Sequence, residues 1–167
     1  MIKRINSMQT PQKTESKCSL PKRFNNPITL YLHPTMQDYI FEIQLKVRDY
    51  ECDIQGIVNN AVYQGYLEHA RHEYLQSKMI SFKELTAKGI LLMVSRIEMD
   101  FKRSLTSGDT FQVKLRIERQ GVKLLFFEDI FRLSDQALCL KAKVEVIAKI
   151  NDKLTRGEIF DTLNLEF

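Results

Sequence analysis

The chain has 167 residues, with 25 Lys and Arg against 21 Asp and Glu for a formal charge of +4, and it is 44% hydrophobic and 28% charged. That is the size and composition of one ordinary globular domain, able to bury a core without disulfide or metal staples. No apolar run approaches the roughly 18 residues of a membrane helix. Three cysteines (Cys18, Cys52, Cys139) without CxxC spacing exclude a disulfide framework and a zinc ribbon.

Charge is unevenly spread. Residues 1–35 hold six basic side chains (Lys3, Arg4, Lys13, Lys17, Lys22, Arg23), one acid (Glu15) and all four prolines, whereas every glycine lies at Gly56 or beyond. The remainder is nearly neutral, so the basic character belongs to a leader and is weak support for nucleic-acid binding by the domain. Residues 1–35 read as a flexible, Pro-containing leader and residues 36–167 as the functional domain. The leader lacks the apolar stretch of a secretory signal but loosely fits a basic, Ser-rich, acid-poor transit peptide. The expected location is the cytoplasm, or a plastid or other organelle if the leader is a transit peptide.

The domain opens with a strand over residues 41–48. Phe41, Ile43, Leu45 and Val47 alternate with Glu42, Gln44, Lys46 and Arg48, the period of a half-buried strand. A loop over 49–60 follows. The spacing of Val62, Tyr66, Leu67, Ala70, Tyr74 and Leu75 then predicts a helix over about 61–78, with Asn59 or Asn60 as its N-cap. Gly65 within it costs about 1 kcal/mol against Ala and suggests a close approach to another backbone. A short helical turn is predicted over 82–88, closed by Gly89. Strands follow over 90–101, 111–118, 124–133 and 138–150, joined by short turns at Gly108-Asp109, Gln120-Gly121 and Ser134-Asp135-Gln136. The order β-α-β-β-β-β with hairpin connections implies an α+β domain, one long helix against an antiparallel sheet.

The loop-to-helix junction carries the chemistry. Asp53 precedes a helix start, where unpaired N–H groups and a partial positive charge can hold a developing oxyanion. A carboxylate beside such a site can deprotonate water or attack a carbonyl itself, and both roles need the ionised acid that is ordinary at neutral pH. Taken alone, an Asp near a helix start is more often a cap or loop residue. His69 and His72 lack the i, i+4 spacing of a zinc helix and an evident third ligand, so no metal is expected. Cys52 reads as a small buried or half-buried thiol rather than a nucleophile.

The run Val47-Arg48-Asp49-Tyr50-Glu51-Cys52-Asp53-Ile54-Gln55-Gly56-Ile57-Val58-Asn59-Asn60-Ala61-Val62-Tyr63 resembles the signature of hotdog-fold thioesterases of the 4-hydroxybenzoyl-CoA thioesterase family. The likeness continues through residues 66–75 and 99–109, covering roughly residues 38–150. The segment 45–63 and Arg71-His72-Glu73 are also similar to plant acyl-lipid, methylketone-type thioesterases. The resemblance implies a hotdog fold, with the helix wrapped by a curved sheet. It implies that Asp53 is the catalytic carboxylate, that the backbone N–H near Asn60 polarises the thioester carbonyl, and that Glu68 supports the site. Many bacterial relatives place His where this chain has Asn60. Gly56, Val58, Asn59, Ala61 and Tyr63 are the expected substrate-binding positions. Lys102 and Arg103 are candidates for contacts with the phosphates of CoA or of a carrier protein's phosphopantetheine arm.

The expected function is hydrolysis of acyl-CoA or acyl-acyl-carrier-protein thioesters, without cofactor, by a homodimer or homotetramer that neither binds nucleic acid nor spans a membrane. A hydratase needs a His beside the Asp, and His33, His69 and His72 all lie away from the junction. The alternative is a non-catalytic acyl-thioester or carrier-protein binding module on the same fold.

Overall fold

Residues 39–166 are described by a computed structural model; the expected leader, Cys18 and His33 lie outside them. The alternating segments form strands β1 (Phe41–Lys46), β2 (Ile90–Phe101), β3 (Thr110–Gln120), β4 (Lys123–Arg132) and β5 (Leu138–Ile150). They pair antiparallel in the order β1-β3-β4-β5-β2, which leaves β1 and β2 at the edges. The long helix α1 (Asn60–Ser77) precedes a single short helix, α2 (Phe82–Ala87). Two small elements have no counterpart in the sequence pattern: a two-residue strand, β6 (Lys153–Leu154), on β5, and a short helix, α3 (Ile159–Thr162). Pieces that short complete no hydrophobic period, yet α3 seats Phe160 fully buried in the core.

The sheet curls because its strands are long and irregular. A register shift between Val94 and Arg96 in β2, and another between Ile130 and Phe131 in β4, add the local twist and bend that bulges introduce. The concave face carries Phe111, Val113, Leu115 and Ile117 of β3 and Leu124, Phe126 and Ile130 of β4, all buried. Into it α1 inserts Tyr63, Tyr66, Leu67, Ala70, Tyr74 and Leu75. Each such large side chain contributes about 1.5–3 kcal/mol of burial free energy, and α1 makes up for its own weak spot, Gly65, many times over. Gly65 does not mark a close backbone approach among the described residues. A Cβ there would meet none of them within 4 Å, and the residue faces a wide groove between α1 and β1. Gly89 is fixed by its geometry: at φ +70 it ends the α2 turn, and a Cβ would fall 2.4 Å from Asn151 Oδ1.

One ion pair crosses the apolar layer between helix and sheet. Arg71 of α1 donates through Nη1 to Glu128 Oε2 of β4 at 2.7 Å, and Glu128 is fully buried, with no partner for its Oε1 among the described residues. Burial pushes the Glu128 carboxyl up from its ordinary 4.5 to about 7, with Arg71 pulling the other way. Without Arg71 the carboxyl rises further and stays neutral, and a buried polar group left without its partner typically costs about 1–3 kcal/mol, so Arg71→Met is expected to lose stability on that scale in urea unfolding. The raised carboxyl makes the folded chain hold a proton that the unfolded chain gives up. Stability from this group is therefore full below pH about 4.5 and is lost as the pH rises through about 7. Glu128→Gln should remove that decline, read as the difference in urea midpoints between variant and wild type across this range.

Candidate active site

The segment 49–59 is stitched before α1 begins. A 3-10 turn over Asp49–Glu51 leads into Cys52, which bridges to Val58, so residues 52–58 form a closed loop. The Asp53 N–H donates to Ile57 O and the Gly56 N–H to Asp53 O, both at 2.9 Å. Gly56 sits at φ +75, the left-handed conformation this tight turn needs. Below the loop, the Asn59 N–H donates to Glu51 O at 2.9 Å, and the Val58 N–H to Leu105 O at 2.9 Å.

Asp53 is half-buried. Its Oδ1 accepts from the Gln55 N–H at 2.8 Å, and among the described residues its Oδ2 takes no hydrogen bond. The helix start is equally selective. Asn59 is the N-cap, accepting from the Ala61 N–H at 2.9 Å, and the Val62 N–H donates to Asn59 O at 3.0 Å. Among the described residues the Asn60 N–H has no acceptor. A carboxylate oxygen and a helix N-terminal donor thus both stay open, and Asp53 and Asn60 line the same cavity of about 500 Å³.

That cavity gathers most of the expected site. Val58, Tyr63, Lys102 and Arg103 line it with Asp53 and Asn60, joined by Ile57, Phe101 and Ser104, which the sequence pattern did not single out. Phe101 forms one wall, its ring 5.4 Å from that of Tyr63. The Lys102 and Arg103 N–H groups donate to Cys139 O at 2.8 and 3.2 Å, which fixes both residues at the end of β2. Lys102 Nζ lies 3.3 Å from Asp100. Gly56 and Asn59 shape the loop and the cap outside the cavity lining, and Ala61 faces the wide groove along β1. Glu68 stands elsewhere, at the mouth of a smaller apolar pocket with Arg71, His72, Phe82, Leu92 and Val94. It is 3.9 Å from His72 Nε2. His69 lines the β1 groove, and His72 packs on the Phe82 ring at 4.7 Å.

Two contacts behind the loop escaped the sequence reading. Glu51 is buried, and its Oε2 accepts from the Tyr66 hydroxyl and from the Arg48 N–H, each at 2.7 Å. The Leu105 N–H donates to the Tyr63 hydroxyl at 3.2 Å. An acid two positions before the expected catalyst, fifteen before a helix tyrosine, was the available signal, but it has no periodicity of its own.

A curled antiparallel sheet around one long helix defines a hotdog domain. Residues 47–155 match the thioesterase-like superfamily, and the chain belongs to it. It is 46% identical over 103 residues to a chloroplastic acyl-acyl carrier protein thioesterase of Arabidopsis thaliana, covering 61% of this chain and 54% of that protein. It is 28% identical over 95 residues to the long-chain acyl-CoA thioesterase FadM of Escherichia coli, covering 57% of this chain and 71% of FadM. The chain spans about half the length of the Arabidopsis relatives it matches. Among solved structures, a hypothetical protein of Aquifex aeolicus shares 27% identity at a TM-score of 0.67, covering 74% of this chain and 99% of that one. A 1,4-dihydroxy-2-naphthoyl-CoA thioesterase from Synechocystis superposes at a TM-score of 0.68 with 17% identity, over 74% of this chain and 93% of that one, a likeness of fold. Among the described residues no helix is long and apolar enough to cross a membrane.

The cap is the local contact that sets the helix start. Asn59→Ala is expected to cost about 0.5–2 kcal/mol, read as a lowered urea midpoint with the fold's circular dichroism intact.

Proposed function

We propose that the chain hydrolyses acyl thioesters at the Asp53 cavity. The observation that carries this reading is the pairing, in one cavity, of an open Asp53 carboxylate oxygen with the open Asn60 N–H. Asp53 takes a proton from water as its oxygen attacks the thioester carbonyl carbon, or attacks that carbon itself. The carbonyl oxygen gains the charge and is received by the Asn60 N–H at the positive end of α1. On the first route the C–S bond then breaks, the thiolate leaves and takes up the proton from Asp53, and the free acid is released; on the second the thiolate leaves an acyl–Asp53 anhydride, which water hydrolyses to the free acid and the Asp53 carboxyl, whose proton passes to the thiolate. Lys102 and Arg103 at the cavity wall attract the phosphates of the leaving arm. Relatives named for acyl-acyl carrier protein at 46% and 44% identity make a carrier-protein thioester the first substrate to try, with acyl-CoA the second. Their chloroplastic naming supports the organellar alternative over the cytoplasmic expectation.

The same reading includes a homo-oligomer. Strand β2 pairs only with β5 among the described strands, so one edge is open. It bears exposed Leu91, Met93, Val94 and Phe101, an edge that natural proteins usually cover. Two-fold antiparallel pairing of β2 about its middle would set Ile90 and Leu92 of one copy beside Phe101 and Met99 of the other. The apolar pocket of one copy, with Glu68 at its mouth, would then adjoin the Asp53 cavity of the next and receive the acyl chain there.

Free-thiol release from acyl-carrier-protein and acyl-CoA panels tests the activity. Asp53→Asn should lower turnover by about 10²–10⁴-fold, the usual worth of a general base, with its circular dichroism unchanged. Wild-type protein that binds the thioesters and releases no thiol from any of them is a binding module instead. Leu91→Glu with Met93→Glu should shift the sedimenting mass to that of one chain and lower activity; an unchanged mass removes the β2 interface.

A further inference from the structure

The loop that carries Asp53 is anchored at its base by a contact outside the cavity. Tyr66 lies on the buried face of α1, its ring packed between those of Tyr63 and Phe111 at 6.0 and 4.7 Å. Its hydroxyl donates to Glu51 Oε2 at 2.7 Å, the same oxygen that accepts the Arg48 N–H. Glu51 Oε1 faces Arg48 Nη1 at 3.3 Å. Through its backbone, Glu51 closes the loop, since its carbonyl accepts the Asn59 N–H that immediately precedes the helix start. One residue therefore touches the helix interior and the start of the loop through its side chain and the end of the loop through its main-chain carbonyl.

We propose that the Glu51–Tyr66 contact is a positioning brace for the reaction: it fixes the Asp53 carboxylate relative to the Asn60 N–H. The inference rests on the thioesterase reading of the Asp53 cavity. Glu51 and Tyr66 are both buried, and an acid taken out of water is costly unless its oxygens are all matched to donors. If the position served packing alone, an apolar residue would do so without that cost. What the carboxylate adds is direction, because it accepts from the helix and from the loop at one oxygen. Burial, and then the bond to Glu51, push the Tyr66 hydroxyl far above the usual phenol range, so it stays a donor throughout the working pH range. Asp53 is two residues beyond Glu51, and its loop bonds hang on that base. A tilt of the base moves the carboxylate and the capped helix start apart together. Such a reaction is sensitive to displacement, with about 1 Å worth about a hundredfold in rate.

The test uses the full chain and three single variants. Tyr66→Phe removes only the hydroxyl, and Glu51→Gln keeps the shape and loses one acceptor site. Tyr74→Phe is the control, since it removes an equally buried hydroxyl of the same helix, one that accepts the Glu166 N–H at 3.3 Å far from the loop. All are assayed at a temperature where circular dichroism shows them folded. Tyr66→Phe and Glu51→Gln should each lower kcat by about ten- to a hundredfold, with KM within about threefold, and the double variant should be no slower than the slower single one. Amide exchange of Asp53, Gly56 and Val58 should quicken in Tyr66→Phe and stay unchanged in Tyr74→Phe, which should also keep wild-type kcat. Wild-type kcat in folded Tyr66→Phe, a double variant whose loss multiplies those of the singles, or faster exchange without a change in kcat overturns the brace. An active Asp53→Asn, or wild-type protein without turnover, defeats the thioesterase reading itself and with it the role given to the brace.

Discussion

One helix has to fill the hollow of a six-stranded sheet, and the other features of the domain follow from that constraint. The apolar stripe of α1 is wide enough to meet β1 and β3 and the rows of Phe111, Leu115, Leu124 and Phe126 beneath it. With the stripe buried, rotation or sliding of α1 would expose tyrosines and leucines and would break the Arg71–Glu128 pair. The helix axis is therefore fixed by area, and its rotation by one charged contact in an otherwise apolar layer. Such a contact adds little net stability over an apolar equivalent but penalises every misplacement.

A helix held in this way has a fixed N-terminus, and the site is built there. The 49–59 loop reaches α1 through three kinds of contact: the Asn59 cap, the Glu51–Tyr66 hydrogen bond, and the Tyr63 hydroxyl that accepts the N–H of Leu105, whose carbonyl in turn holds Val58. Two tyrosines three residues apart share one helix face, and so they grip the loop from two sides while their rings pack the core. Stability and site geometry draw on the same side chains. This is why the carboxylate can be left with an unsatisfied oxygen without the loop wandering toward another donor.

The sequence made the large elements legible because each completes several periods. The strand over 138–150 and the helix over 61–78 agree with the observed β5 and α1 to within a residue or so. Asp53, Val58, Asn60, Tyr63, Lys102 and Arg103 were expected to work together, and they line one cavity. What escaped lies in contacts between distant residues. Glu51 with Tyr66 and Arg71 with Glu128 are polar pairs fifteen and 57 positions apart, invisible to any pattern of spacing. Phe160 could be read as apolar but not as buried, since only the turn of α3 carries it back to the core. Gly65 misled for the opposite reason: a helical glycine signals missing bulk, and the sequence does not say whether a backbone or open space lies next to it.

The central proposal is geometric: an acyl thioester would lie with its carbonyl between Asp53 and the Asn60 N–H. It is tested most directly by a crystal structure of the Asp53→Asn variant with an intact acyl thioester bound. The account predicts the carbonyl oxygen about 2.7–3.1 Å from the Asn60 nitrogen, with the carbonyl carbon facing the side chain at position 53. A thioester lying in the wide groove between α1 and β1, with the Asn60 N–H still unoccupied, would contradict it.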